Sequence, residues 1–430
     1  MTVMAVGAAQ ATTLTTANIL SQFDAVIFGN FSTTANVEGR TVAGGNLNGG
    51  ATFNTNPAGV AASSFAALSV YGNATAGGSE NINNGGGFAI AGTSNVSFNL
   101  NGGGSAYVGG SNSGNMNFSG AANITVGGAN SGALMMNNGG SVYTGTNTGT
   151  IAGGSSTTVK INGNNGASLN LNGGGTVSLN GSNTGTISLN GGSLSYTGTQ
   201  GGNLNLNGGA TATKVASLSL PTPASTLGSF ASTFQTPLAA LSTQLSGITA
   251  NSTTSSSNGA LAFNAAPDAT GTAVFGINAS LFSPNSTVTI NLAAATSVII
   301  NVNVDSCIST NCAFALPNSL NFLNPTGYAA TVLWNFVNAT SLNFPTEFGG
   351  SVLAPQAAVT NSASIDGTLV AASFSGSGEI HSRPYTGTLP NGTAQGLVSA
   401  GGSVPAPEPA SLLLISTGLA GLAAIRRRRR

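Results

Sequence analysis

Glu379 and His381 are the only acid and histidine placed close together in this chain, and His381 is its single histidine. Residues two apart share one face of a strand, so the pair could work as acid and base or as two metal ligands. Catalysis asks for a third group to orient the base, and a zinc site asks for three or four ligands. With one His and two Cys in the whole sequence, that group would have to be Asp366 or Arg383. A structural hydrogen-bonded cluster is therefore the expectation, with no catalytic residue, no metal and no cofactor. Glu38 and Arg40, two apart around Gly39, read as a similar fixed ion pair. Cys307 and Cys312 enclose CISTNC, which an oxidising compartment would allow to close as a small disulfide loop; two free thiols are the other reading. The glycines make no phosphate loop: there is no G-x-x-x-x-G-K-[ST], and Gly clusters recurring in turns lack the strand-to-helix context. Calcium-binding β-helix repeats need an Asp in each coil, where this chain has Asn.

The elements that must position these residues are written in an Asn, Gly, Ser and Thr background. Between residues 84 and 209, Asn-Gly-Gly sites begin at Asn84, Asn101, Asn138, Asn172, Asn190 and Asn207, and the gaps are filled near Gly120 and Gly153. One turn thus recurs every 17 to 18 residues. A second marker of the type Asn-Ser/Thr-Gly runs out of phase at Gly114, Gly132, Gly149, Gly166, Gly185 and Gly201. Between the markers lie apolar pairs two apart, among them Met116/Phe118, Ile124/Val126, Val159/Ile161, Leu169/Leu171 and Leu204/Leu206. Such pairs put both side chains on one strand face, while Asn and Gly supply the positive φ of turns. The predicted fold is all-β: a parallel β-helix or β-solenoid of 17–18-residue coils, each with two short strands and two unequal turns. Its outer face is a flat neutral array of Asn, Ser and Thr, and TGTNTGT (144–150) is expected only to shape a loop.

At Leu218 the pattern breaks. Apolar residues at Leu227, Phe230, Phe234, Leu238, Leu241, Leu245 and Ile248 step by three and four, which predicts one flanking α-helix over 225–249, capped by Ser225 and kinked or divided at Pro237. Stretches such as STVTINLA and SVIINVNV predict longer strands over 259–387. FDAVIFGNFSTTANVEGRTVAGG (23–45), Leu333-Trp334-Asn335-Phe336, GSVLAP (350–355), IDGTLVA (365–371) and GEIH (378–381) together resemble the choice-of-anchor A family of bacterial surface proteins. The resemblance implies one β-helical domain over 23–387, in which 23–80 and 259–387 pack as a unit and the 84–209 repeats form a long insertion. Asp366 stands where that pattern has the Asn of an Asn-Gly turn, a change that turns tolerate.

The C-terminal end reads as an address. After a linker over 388–404, Pro407, Glu408 and Pro409 precede an uncharged apolar stretch, 410–425, and a block of Arg426, Arg427, Arg428, Arg429 and Arg430. The apolar stretch predicts a C-terminal transmembrane helix of about 24 Å, with the arginines held on the cytoplasmic side. Residues 405–430 resemble a PEP-CTERM sorting signal. That implies export, transient holding in the inner membrane, and cleavage near Pro-Glu-Pro by an exosortase-type enzyme; a permanent tail anchor is the rival reading. At the other end, residues 1–11 look like part of a signal peptide, with Ala9 and Ala11 in an A-x-A site, so translation is expected to start upstream.

Charge narrows the function. Five of nine cations are the terminal arginines; without the tail, Arg40, Lys160, Lys214 and Arg383 face eight acids, a net −4. A weakly acidic body without a basic patch has no footprint for nucleic acid. Disorder goes with low hydrophobicity and high net charge, whereas 40% of these residues are hydrophobic. The expectation is an exported, non-enzymatic surface or biofilm-matrix protein, an adhesin that contacts extracellular polysaccharide or other surface proteins. The alternative is a binder of polysaccharide or ice through one solenoid face. A glycan-cleaving solenoid is disfavoured because glycoside hydrolysis uses a pair of carboxylates about 5 to 10 Å apart.

Overall fold

A computed structural model describes residues 14–390, apart from 76, 222 and 226. Apolar residues two apart turn inward, and each 17- or 18-residue repeat stacks on its neighbour in strict register, as when Ala106, Ile124, Val142, Val159 and Val177 pair in succession. The result is a parallel β-solenoid with a continuous apolar core. Sixteen strands line one side of the rod, about 72 Å of stacking at ~4.8 Å per step.

The order of coils in space differs from their order in sequence. Ala25–Ile27 lies in the middle of the rod, paired on one edge with Thr41–Ala43 and on the other with Leu369–Gly376. From there the chain climbs coil by coil to Thr211–Lys214 at one end. A Pro-containing strap then runs back to Phe230, whose ring meets Tyr71 at 5.1 Å and Phe28 at 6.1 Å. The chain next forms the flanking helix, starts again at the opposite end near Thr253, and winds back to the middle.

Each coil has three sides, one more than the repeats predict. Between the two strands lies a short side held by single-residue bridges, Asn112 to Asn130 to Asn147 to Asn165 to Asn183. The marker that reads as a mere turn in sequence is this side. The flanking helix is also shorter than 225–249. It begins after Phe230 with a π-helical turn, Ala231–Gln235, and becomes α-helical over Thr236–Ser246, with Pro237 in its first turn. Pro237 lacks the N–H a helix interior needs but is at home at a helix start. Ser225 caps no helix; its hydroxyl accepts from Leu227 N–H instead. A second short helix, Thr16–Gln22, is capped by Thr15. Both helices cover a file of outward apolar residues: Val274, Ile299, Leu333, Leu353, Val370, Val26 and Val42.

No described helix is long and apolar enough to cross a membrane. The 410–425 stretch, Pro407, Glu408, Pro409, Arg426 to Arg430, Ala9 and Ala11 lie outside the described residues.

Candidate functional site

Two places gather polar side chains in a non-random way. The first is the seam where the returning chain closes on the first coil. Ile365–Asp366 and Ile380–His381 are stacked strands, so Asp366 and His381 are register partners. His381 Nδ1 lies 2.8 Å from Asp366 Oδ1 and its Nε2 lies 3.1 Å from Glu379 Oε2. Asn36 donates to the other oxygen of Glu379 at 3.0 Å. The hydrogen bond to Asp366 is the main reason the imidazole pKa is raised to about 9, so the ring is an imidazolium at neutral pH. An imidazolium bridging two carboxylates has no lone pair for a proton or a metal. Among the described residues no group of three or more His, Cys, Asp and Glu is arranged to hold a metal.

Further charges meet at this seam without forming the ion pair expected of Glu38 and Arg40. Glu38 accepts from Ser382 N–H at 2.8 Å, whereas Arg40 donates to the carbonyl of Ala61 at 2.9 Å. The two side chains, in the turn before Thr41–Ala43, reach toward different partners. Asp24, fully buried beside Gly39, has its pKa pushed up to about 7, chiefly by burial. Glu347 is raised by burial and by its hydrogen bond to Asp366. Away from the seam, Cys307 and Cys312 form a disulfide that closes the CISTNC loop.

The second place is the short third side of the coils. Inside it, buried amides form a ladder: Asn112 donates to Asn130 at 2.9 Å, Asn130 to Asn147 at 2.9 Å, Asn147 to Asn165 at 2.8 Å, and Asn165 to Asn183 at 2.7 Å. The second N–H of each amide is held by a carbonyl two residues on, such as Gly114, Gly132 and Gly149. In Asn112, Asn130, Asn147 and Asn165 both amide donors are thus spent inside the wall, which fixes the rotamer and flattens the side. Sequence reasoning missed this ladder, although its signal, an Asn one or two residues before Gly114, Gly132, Gly149, Gly166 and Gly185 of the second marker, was present.

Outside, small uncharged residues flank the ladder. Thr93 and Asn95, Ser111 and Ser113, Thr146 and Thr148, and Ser182 and Thr184 make a double file, exposed or half-buried, without one charge. TGTNTGT therefore does more than shape a loop, since Asn147 belongs to the wall and Thr146 and Thr148 to the surface. Elsewhere an open groove of about 550 Å³ beside the flanking helix is lined by Ser246, Gly276, Asn278, Asn301 and Asn303, among others, with no acid.

The chain matches the family described as an ice-binding-like adhesive domain in two overlapping stretches, 16–131 and 70–382. It belongs to that family. Residues 405–429 match the PEP-CTERM protein-sorting motif. An adhesive domain joined to a sorting motif makes this an exported surface protein. No curated protein matches the chain. Two solved structures are similar at the level of a long alignment only. The tapirin C-terminal domain of Caldicellulosiruptor kristjanssonii is 13% identical, with 84% of this chain and 93% of that one covered, at a TM-score of 0.26. An ice binding protein from an Antarctic bacterium, Flavobacteriaceae, is 13% identical over 85% and 97% of the two chains, at a TM-score of 0.22.

Proposed function

We propose that this adhesive-domain protein is a non-enzymatic adhesin of the cell surface or biofilm matrix, of the choice-of-anchor A kind, and that it holds its target through the uncharged double file. The observation that carries the reading is the flat third side, whose backbone bridges run through seven consecutive coils from Ser94 to Gln200, with the amide ladder spanning the five from Asn112 to Asn183. Small hydroxyls and amides repeating every ~4.8 Å along the rod give many weak contacts to an equally repetitive partner. An extracellular polysaccharide fits that requirement, and an ordered water lattice at ice is the second reading, favoured by the same repeat.

The tail supplies location. In this proposal the 410–425 stretch is held briefly in the inner membrane with Arg426 to Arg430 on the cytoplasmic side, and an exosortase-type enzyme cuts near Pro407-Glu408-Pro409. Intact-mass analysis of protein from cells and medium tests that step, and a mature chain ending at Arg430 would overturn it. The adhesive face is tested by immobilising the protein on beads and measuring retention on cell-surface polysaccharide and on ice. Replacing Thr146, Thr148, Ser182 and Thr184 together by Lys should abolish retention, while lysines at Asn117 and Asn170 on another side should leave it intact. Equal loss from both sets would remove the third side from the mechanism.

A further inference from the structure

The two ends of the rod are finished differently. At the end where the chain restarts, Thr253–Ser257 folds back antiparallel on Ala260–Asn264 and closes that edge. Beside it, Asn251 covers the edge of Thr272–Asn278, accepting from Val274 N–H at 2.8 Å and donating to Thr272 C=O at 3.1 Å. At the other end no described residue covers the last coil in this way. Among the described strands, Asn203–Asn207 pairs only with Thr186–Asn190, and Thr211–Lys214 only with Gly192–Tyr196. Leu204 and Leu206 are half-buried, whereas their register partners Ile187 and Leu189 are fully buried.

The bare strand is self-complementary. Its sequence, Asn-Leu-Asn-Leu-Asn, reads the same in both directions about Asn205. Asn203 N–H donates to Gly185 and Asn207 C=O accepts from Gly191, so both residues spend these groups on the coil beneath. Because this direction alternates along a strand, Leu204 and Leu206 turn their N–H and C=O to the open side. A second copy laid antiparallel about Asn205 would place Leu204 opposite Leu206 of that copy, with donors and acceptors matched. The apolar core would run on through the join, and the Asn file would continue outside. The strand carries no Pro and no charge, the devices that usually blunt an edge.

We propose that two copies of this chain join end to end through Asn203–Asn207, forming a two-fold dimer that buries Leu204 and Leu206. The opposite ends are capped, so assembly stops at two rather than growing into a filament. The dimer would present two runs of the third side in one rod about twice as long, with the disulfide-bearing halves outermost.

The test uses the full-length chain. Sedimentation should give a dimer that dissociates on dilution, and small-angle scattering should show roughly twice the length of one rod, about 72 Å. Across the two-fold axis Asn205 faces its own copy in a non-hydrogen-bonded pair, where Cα atoms lie about 4.5 Å apart, within disulfide range. Asn205→Cys should therefore form a covalent dimer on oxidation, and Ser188→Cys, one coil below in the same file, should not. Leu206→Pro removes an N–H that the single rod leaves unused, together with a half-buried leucine packed on the last coil, so it should yield a monomer with the parental circular dichroism spectrum and a slightly lower melting temperature, and Leu206→Ala, which loses the same packing but keeps the N–H, should still dimerise. A monomer up to about 100 μM with no Asn205→Cys cross-link would overturn the proposal. Growth beyond two copies, or equal cross-linking at positions 205 and 188, would overturn it too.

Discussion

The rod holds two kinds of coil in one stack. From residue 97 to 214 the coils are nearly identical, with cores that are aliphatic beyond Phe98 and Phe118 and a buried amide ladder. The coils built from 25–70 and 259–387 vary in length, carry aromatic cores, lie under two helices and gather most of the body's charge at their seam. Trp334 shows the contrast: it contacts Phe263, Phe282, Phe322 and Phe348 with ring centroids 5.3 to 6.0 Å away, and its N–H is held by Gly349 C=O at 2.8 Å. Buried polar groups in this half tie layers together. Asn335 donates to Asn301 and to the carbonyl of Ser242 on the helix, while Ser242 donates back to Asn335. In the regular half the same residue type ties each coil only to the next. Uniqueness thus comes from aromatic packing and helix cover in one half, and from repetition of a single satisfied amide in the other.

The largest way to break this comparison is Trp334→Ala. Loss of a fully buried Trp typically costs about 3–5 kcal/mol, here from the half that has no repeat to share the load. Hydrogen exchange should show protection falling across Val332–Phe336, Ser351–Asn361 and Leu369–Gly376, while the coils beyond residue 104 keep theirs. Equal loss in both halves would mean that the stack unfolds as one unit and that the two packings are not energetically distinct.

A substitution in the other half should do the reverse. Asn147→Ala strands a donor on Asn130, the Oδ1 of Asn165 and the carbonyl of Gly149. Leaving buried polar groups unpaired costs about 1–3 kcal/mol each; with partial relaxation a total of about 3 kcal/mol is expected, read as lost protection in Ala122–Val126 and Thr157–Ile161. Asn117→Ala, an outward amide in the same half, should change stability by less than about 0.5 kcal/mol. If the two variants behave alike, the ladder is not what stabilises the wall.

The same division explains what could be read from sequence. Periodicity exposes the regular half directly: pairs such as Leu169/Leu171 and Ile187/Leu189 occupy the core as their spacing requires. The third side was hidden because Asn next to Gly is the usual composition of a turn, and burial of the amide appears only once coils stack and neighbouring amides meet. In the irregular half strands were legible from alternation, as in SVIINVNV, but not their order, since nothing local tells Leu369–Gly376 that its partner is Ala25–Ile27. Glu379 and His381 could be paired by spacing. Asp366, fifteen positions away, entered only as one of two candidates, because a coil of uncertain length separates it from them.

The smallest effect concerns the place where the two halves meet. Glu80 faces inward beneath Phe98, its register partner, at a position that is apolar in the coils beyond. It accepts Ala51 N–H at 2.7 Å through one oxygen, and the other has no partner. Burial raises its pKa from 4.5 to about 7, with the Ala51 hydrogen bond opposing. An acid whose folded pKa is raised binds its proton more tightly in the native state, so stability is greatest below pH 4.5. It falls as pH rises toward 7 and is level above that. Seam His381 has the later window: its raised pKa contributes stability below 6.5 that is lost through pH 9. Glu80→Gln keeps an acceptor for Ala51 and removes the charge. It should match the parent near pH 4 and exceed it by about 2 kcal/mol at pH 8, below the ~3 kcal/mol that a shift of this size would give without relaxation. Denaturant midpoints at both pH values measure the difference, which also cancels the titration of Asp24 common to both proteins. A gain of the same size at pH 4 would show that Glu80 is merely a poor fit in the core, and the junction would then be a packing defect rather than a buried acid kept neutral by its surroundings.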